Sequence, residues 1–582
     1  MSVKAAWKDA RKILKEIPVT DIFEYHDVSS NLTEISASIS FRIGAGDYES
    51  LRNDEFRAEK KDGVTRRIVI LFPEDSIIFS AINKYAEDFI LSIAPTKKSY
   101  YVRGNTPKTI NDLPGDPYMH WSKLWALYQE EIQGFSGKRK YTVATDVASY
   151  YDTINLSVLK ERLQSKTKIQ SSIVELIFDM LERFLWKPEY GKSISQGLPQ
   201  VNLPAIRLLA NFMLFDIDDY LLGKTDGDFV RWMDDIDFAS NNKAEARKIL
   251  KDLEILLNSM GLRLNTGKTK ILSPEEAMES FCINENRKAN EMKNHIDSYK
   301  IYGNFIKNTI LARLSRELDE LLFGDKCGAW NKVVARYINF FAKIGVGHSD
   351  LLKVELLLLE PSLRSTIFRY YLKLGFSNRR MRNVFTYILS DACLDDASFS
   401  EAVDLIVRWE IKKRNKYVNK LIRYFNTLPY RTDADLHRLS NGLKFMMKYA
   451  TSEEISLYID AFSNLWPESE WLARQVAACY PILESSTQRK IRYVIANSGR
   501  KEGMRIIHTL DRMKDSTGVS DLDKPILKEQ KISLVKVSLI ITYLSGSLSS
   551  ANKKRLIEDY KIKEYGDFYI KHALKAHISP YI

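Results

Sequence analysis

The sequence predicts two parts of different class: an α+β half running to about residue 275 and an all-helical remainder. Two observations carry this. The first half sets short β-rich runs among helical stretches, with candidate strands at 66–72 (RRIVILF), 141–145 (YTVAT) and 229–233 (FVRWM). Each is rich in β-branched or aromatic residues, and Gly, Pro and Asn punctuate the intervals, as in GNTPKTINDLPGDP at 104–117. From about Glu291 onward proline becomes sparse and apolar residues recur at three- and four-residue spacing, as in LLKVELLLLE at 351–360 and HRLSNGLKFMMKYA at 437–450. Short polar breaks separate these segments, so the second half reads as stacked helical pairs without a fixed-period consensus.

Composition supports several folded domains. The chain has 582 residues, of which 45% are hydrophobic and 11% aromatic, enough for full cores and too long for one ordinary domain. No run of eighteen apolar residues appears, and the opening MSVKAAWKDARKIL reads as an amphipathic helix rather than a signal peptide. No membrane association is therefore expected. Cys282, Cys327, Cys393 and Cys479 lie far apart without paired ligand spacing, which argues against a zinc site or a disulfide framework and fits a reducing cytoplasm. A net charge of +12 makes a polyanionic partner the natural inference.

Carboxylates carry the chemistry. In KYTVATDVASYYDTI a strand delivers Asp146, and Asp152 follows six residues later. In FVRWMDDIDFAS a strand to Met233 leads into Asp234-Asp235 as a two-residue turn, and 236–239 returns as its partner. An isolated Asp-Asp is usually a polar turn, and a single strand-end Asp can be a helix cap. Brought together, these acids would form a cluster of hard oxygen ligands suited to two Mg²⁺ ions bridging substrate phosphates.

The order of the remaining motifs makes the conjunction specific. Asp146-x4-Tyr151-Asp152, then Gln196-Gly197, then Trp232-Met233-Asp234-Asp235, then Asn265-x-x-Lys268-Thr269 resembles motifs A to D of reverse transcriptases, with Trp232 in place of the usual Tyr or Phe. Upstream, KKDGVTRRIVILFPEDSIIFSAI at 60–82 is similar to the fingers hairpin of intron- and retron-type enzymes, and SYYVRG at 99–104 to their Ser-Tyr-x-Phe-Arg segment, with Val102 replacing Phe. The resemblance spans roughly residues 55 to 275. Motif B departs: Gln196-Gly197 persists, but the following Ser-Pro is lost. The layout of Gly197, Pro199, Asn202, Leu203 and Arg207 looks more like the abortive-infection and related defence-associated enzymes.

This resemblance implies an α+β fingers–palm reverse-transcriptase core, with an antiparallel palm sheet and helices, followed by an all-α helical-repeat domain of HEAT-like character. The expected domains are fingers and palm at 1–275, a thumb-like helical segment at 276–320, and helical repeats at 321–582. It implies Asp146, Asp234 and Asp235 as catalytic metal ligands for Mg²⁺, with Mn²⁺ as the alternative ion. Lys268 would be the acid for departing pyrophosphate. Lys60, Arg66 and Arg67 would reach the triphosphate, Tyr151 would exclude a 2′-hydroxyl, and Gln196 and Gly197 would line the nucleotide, the glycine because backbone passes close to the base pair. Partners implied are deoxynucleoside triphosphates and a single-stranded DNA product; RNA and a homo-oligomer are admitted. Synthesis without a template, primed by protein and directed against phage, follows from the defence-type likeness. The rivals are a templated retron- or intron-type enzyme and a catalytically inactive RNA-binding scaffold. In the helical half, Lys412, Lys413 and Arg414 with Tyr417, Tyr424 and Phe425 are candidate nucleic-acid contacts, against the reading of a solvated helix face over core aromatics.

Overall fold

The computed structural model describes residues 3–51, 54–102, 121–185, 196–201, 203–302, 304–326, 328–428 and 436–581. Seven strands occur among them: β1 (Asp54–Lys61), β2 (Val64–Ile70), β3 (Ser99–Tyr100), β4 (Tyr141–Asp146), β5 (Phe229–Trp232), β6 (Asp235–Ser240) and β7 (Lys270–Leu272). The chain forms two compact units that interleave along the sequence. One comprises 1–13, 47–53 and 74–334; the other 14–46, 54–73 and 335–582. Boundaries drawn along the chain at 275 and 320 therefore do not follow the packing. The reason is long-range: the β1–β2 hairpin and the segment 14–46 pack with C-terminal helices.

The first unit is built on a five-stranded sheet of order β3-β5-β6-β4-β7. Expected as antiparallel, it is so except for the β3–β5 pair, which is parallel. One face is covered by the helix Trp121–Ser136, whose Leu124, Tyr128, Ile132 and Phe135 pack with Val230 and Ala239 of the sheet. The helix Lys243–Ser259 packs on β4 and β6. Asn242 caps its first turn, and Ala246, Ile249, Leu253 and Leu257 are buried at three- and four-residue spacing. Pro204 opens a third helix, Pro204–Met213, at the position where its missing N–H costs nothing.

The second unit stacks helices in alternation. Pro361–Leu374, Asp396–Arg408, Leu436–Tyr449, Glu470–Ala478, Lys501–Asp515, Leu534–Ser545 and Phe568–Ile578 each pack on the next, with shorter or more exposed helices between them. The β1–β2 hairpin turns at Asp62 and Gly63, both left-handed, the pattern that matches strand twist in a two-residue turn. It lies on this stack. Arg364, almost wholly buried, binds Glu59 of β1 at 2.5 Å and Asp395 at 3.4 Å, and the Arg57 amide donates to Asp396 at 2.9 Å.

The segment 14–46 is held in the same unit by a buried guanidinium. Arg474 donates to Asp21 at 2.9 Å, to Asp27 at 2.6 Å and to Glu502 at 3.0 Å, all with no exposed side-chain surface. Removing the cation would strand three carboxylates in a low-dielectric interior. Arg474→Leu is therefore expected to lower stability by about 3–5 kcal/mol, read as the shift in urea midpoint of the full chain. A loss below about 1 kcal/mol, the size of an exposed pair, would mean that the cluster does not hold this segment.

Candidate active site

The site starts from strand register. β4 runs antiparallel to β6 so that Asp146 stands directly opposite Asp235, and β5 pairs with β6 so that Trp232 stands opposite Asp235 on its other side. The hairpin turn is Met233-Asp234, one residue earlier than the sequence suggests, with Met233 left-handed at φ 55°. Asp235 is thus the first residue of β6, and its side chain belongs to the same face as Asp237 and Ala239.

Two interactions outside the motifs hold the turn. Arg231 of β5, with no exposed surface, forms a two-pronged ion pair with Asp218 (2.7 and 2.5 Å) and donates its remaining nitrogen to the Met233 carbonyl at 2.8 Å. The Val147 amide donates to the Asp234 carbonyl at 3.2 Å, tying the end of β4 to the turn. Trp232 packs against Trp125 (5.2 Å between ring centres), Tyr128 (5.7 Å) and Tyr100 (6.5 Å). Trp232 is therefore an anchor to the covering helix.

The loop carrying Lys268 is fastened to the end of β4. The Asn265 amide donates to the Asp146 carbonyl at 2.9 Å, the Ala148 amide to the Arg263 carbonyl at 2.8 Å, and the Thr145 and Thr269 hydroxyls share a hydrogen bond of 2.7 Å. This brings the Lys268 ammonium onto one oxygen of Asp146. The hydrogen bond to Asp146 holds the Lys268 pKa above its ordinary value. The other Asp146 oxygen, Oδ1, is buried and without a hydrogen-bond partner. Burial, then the charge of Asp234, push the Asp235 carboxyl up to about 6. One turn of the strand pleat deeper, burial pushes Asp237 up to about 8, and the buried Tyr128 hydroxyl donates to it.

Tyr151 follows the left-handed Ser149 in the one-turn helix Tyr150–Thr153. Its neighbour Tyr150 is buried and donates to the Ala210 carbonyl, which orients the turn. Gly197 is needed for a reason nearer than a base pair. It has φ 103°, and a Cβ there would meet the Asp152 and Tyr151 carbonyl oxygens at 3.4 and 3.5 Å. Its amide donates to the Ile154 carbonyl and that of Leu198 to the Tyr151 carbonyl, both at 2.7 Å. Motif B thus braces the backbone beneath Tyr151, and Gln196 stands exposed at the mouth of this turn.

A pocket of about 390 Å³ opens beside the carboxylates, lined by Asp146, Asp235, Asp237, Lys268, Trp125 and Lys332 among others. The Lys332 ammonium stands over the Trp125 ring at 4.1 Å. Residues 60–296 match the family profile described as "Reverse transcriptase (RNA-dependent DNA polymerase)". This stretch is a reverse transcriptase domain. Its chemistry is that of a nucleotidyl transferase. No curated protein matches the sequence. Among solved structures, apo telomerase from Candida Tropicalis is similar at 12% identity over 80% of this chain and 72% of that chain, with a TM-score of 0.28.

The reverse transcriptase domain brings together Asp146, Asp235 and Lys268, with Asp234 in the adjoining turn. Lys60, Arg66 and Arg67 belong to the other compact unit. There Lys60 and Arg66 are exposed, and Arg67 pairs with Glu55 across the hairpin. Lys412, Lys413 and Arg414 are exposed in a loop rather than a helix, since the helix begins only at Lys416. Asn202 and residues 103–120, including the end of SYYVRG, lie outside the described residues. Arg231, Asp218, Tyr128 and Asp237 were not singled out in the sequence. Only Asp237 had a legible signal, its two-residue spacing from Asp235.

The folded protein keeps the Asp235 proton to higher pH than the unfolded chain does. Its ionisation therefore costs stability, and the cost grows as pH rises from 3.8 to about 6. In metal-free buffer, Asp235→Asn is expected to raise the melting temperature well above pH 6 and to leave it nearly unchanged below pH 3.8. A shift of equal size at both ends of that range would contradict the origin assigned to it.

Proposed function

We propose that the chain polymerises deoxynucleotides by metal-assisted attack of a hydroxyl on the α-phosphorus of a deoxynucleoside triphosphate, using Asp146, Asp234 and Asp235. The observation that carries this is the register of Asp146 against Asp235 at the end of a hairpin whose turn holds Asp234. Divalent Mg²⁺ or Mn²⁺ fits the donor set: Asp146 Oδ1 is buried without a partner, and burial with the neighbouring carboxylate charges raises the Asp235 pKa. Asp146, Asp234 and Asp235 would hold the metal. When bound, it supplies positive charge that neutralises the phosphates and stabilises the transferring group.

The chain's own groups do the rest. Lys268, poised on Asp146, would release that carboxylate to the metal and turn its proton toward the departing pyrophosphate. The half-buried ring of Tyr151, on a backbone braced by Gly197, would lie against the sugar and reject a 2′-hydroxyl. Lys60, Arg66 and Arg67 are the proposed triphosphate grip, supported by the motif likeness. Loss of the Ser-Pro after Gln196-Gly197 supports a defence-type enzyme that extends without a template from a protein hydroxyl. The antiphage role, the cytoplasmic location and the HEAT-like kinship of the helical unit rest on that same likeness.

The test is incubation of purified protein with one labelled deoxynucleotide and Mg²⁺, without template. Label is expected to stay with the protein after denaturation and to be freed by protease. Asp234→Asn is expected to cut incorporation by about 10² or more, and Tyr151→Ala to raise ribonucleotide use relative to deoxynucleotide use. Activity only with a primed template would favour the templated enzyme, and none under any condition the inactive scaffold.

A further inference from the structure

We propose that a cleft in the helical unit binds the phosphodiester backbone of single-stranded nucleic acid. This rests on the polymerising reading for the identity of the ligand, while the cleft itself is defined by its own chemistry. It has a volume of about 550 Å³ and is lined by Asn378, Arg379, Arg382, Arg414, Lys416 and Tyr417, together with Asn415. No carboxylate lines it. Arg379, Arg382, Arg414 and Lys416 are all exposed, and among the described residues none of the four forms an ion pair. Other cations of this unit do sit on carboxylates, Lys490 on Asp460, Arg492 on Asp511 and Lys524 on Asp521. Four unneutralised cations converging on one concavity repel each other unless an anion lies between them.

The local folding explains how they converge. Two helices begin at the cleft, Asn378–Ile388 capped by Ser377 and Lys416–Thr427 capped by Asn415. The Asn415 side-chain amide donates to the Asn378 side-chain oxygen at 3.0 Å, joining the two first turns. Arg379 and Arg382 project one turn apart from the first helix. Arg414 and Lys416 flank the cap of the second. Both helices present the positive ends of their dipoles to the cleft, which adds to the side-chain charge. Lys412 and Lys413, exposed in the loop just upstream, extend the basic track.

Tyr417 makes the ligand a nucleic acid rather than any anion. Its ring is half-buried, set against Phe385 at 5.2 Å, with the Lys416 ammonium 5.4 Å from its centre. A fixed aromatic face beside a phosphate-binding cation is the arrangement that stacks an unpaired base while the backbone is held. A duplex has no free base face to offer, so the cleft takes a single strand.

The experiment is fluorescence anisotropy of the full-length protein with a labelled oligothymidylate of about twelve nucleotides, a length within single-strand site sizes. Nucleotide and metal are omitted so that no synthesis occurs. Arg379→Gln with Arg382→Gln is expected to weaken binding at least tenfold and to lower the slope of log affinity against log salt by about 1.4, two contacts at about 0.7 each. Tyr417→Ala is expected to weaken binding about tenfold with the slope unchanged. Affinity and slope equal to wild type in the arginine variant would overturn the site. Inorganic polyphosphate competing as well as the oligonucleotide, or Tyr417→Ala binding as wild type, would overturn the nucleic-acid assignment. If the arginine variant loses binding while the wild type never incorporates a nucleotide, the polymerising reading falls and the cleft stands.

Discussion

Like charges held close together need a frame that does not yield, and three carboxylates at the joined ends of β4 and β6 set that requirement for the whole first unit. Asp146 is fixed by strand register, Asp235 by its place one residue past the turn, and Asp234 by the turn itself. Burial, then the neighbouring charge of Asp234, raise the pKa of Asp235, and the Lys268 ammonium lies on Asp146. The buried Arg231–Asp218 pair gripping the Met233 carbonyl is the counterweight. A buried ion pair is a weak source of stability and a good source of geometry, and here it sets the position of the turn.

The covering helix Trp121–Ser136 contributes from the opposite side. Tyr128 donates to Asp237, and Trp125 packs on Trp232, so the face that carries the acids is walled by aromatic rings. Water is thereby thinned around Asp235 and Asp237, which strengthens every charge interaction a substrate phosphate or metal would make there. The motif B loop acts at the mouth of the site, where Gly197 at φ 103° adopts a backbone conformation that side-chain-bearing residues rarely take and so lets the loop pass beneath Tyr151.

Much of this was legible because the chemistry sits in short segments. Strand, acid, turn and return strand are all local, and the spacing of Asp146, Tyr151, Gly197, Asp234-Asp235 and Lys268 was readable without any partner. What escaped was long-range. Arg231 looked like a polar residue in a strand, and only its pairing with Asp218, thirteen positions away, shows why a buried strand carries an arginine. The RRIVILF hairpin read correctly as strands yet packs on helices some three hundred residues later, through Arg364 and Glu59; nothing in a local period announces such a partner. The basic stretch at Lys412 to Arg414 was read as running on into helix, whereas Asn415 caps the next helix and leaves these residues in a loop. A cap residue inside a basic run was the signal available.

On the proposed reading, Asp146, Asp234 and Asp235 form one site for paired divalent ions in the presence of nucleotide. The most direct measurement is electron paramagnetic resonance of bound Mn²⁺ with a non-hydrolysable deoxynucleoside triphosphate. Two Mn²⁺ per chain are expected, with spin coupling between them as for ions about 3.5–4 Å apart, and the coupled signal is expected to vanish in Asp146→Asn. Mn²⁺ that binds singly, or a coupled pair that survives removal of Asp146, would contradict it.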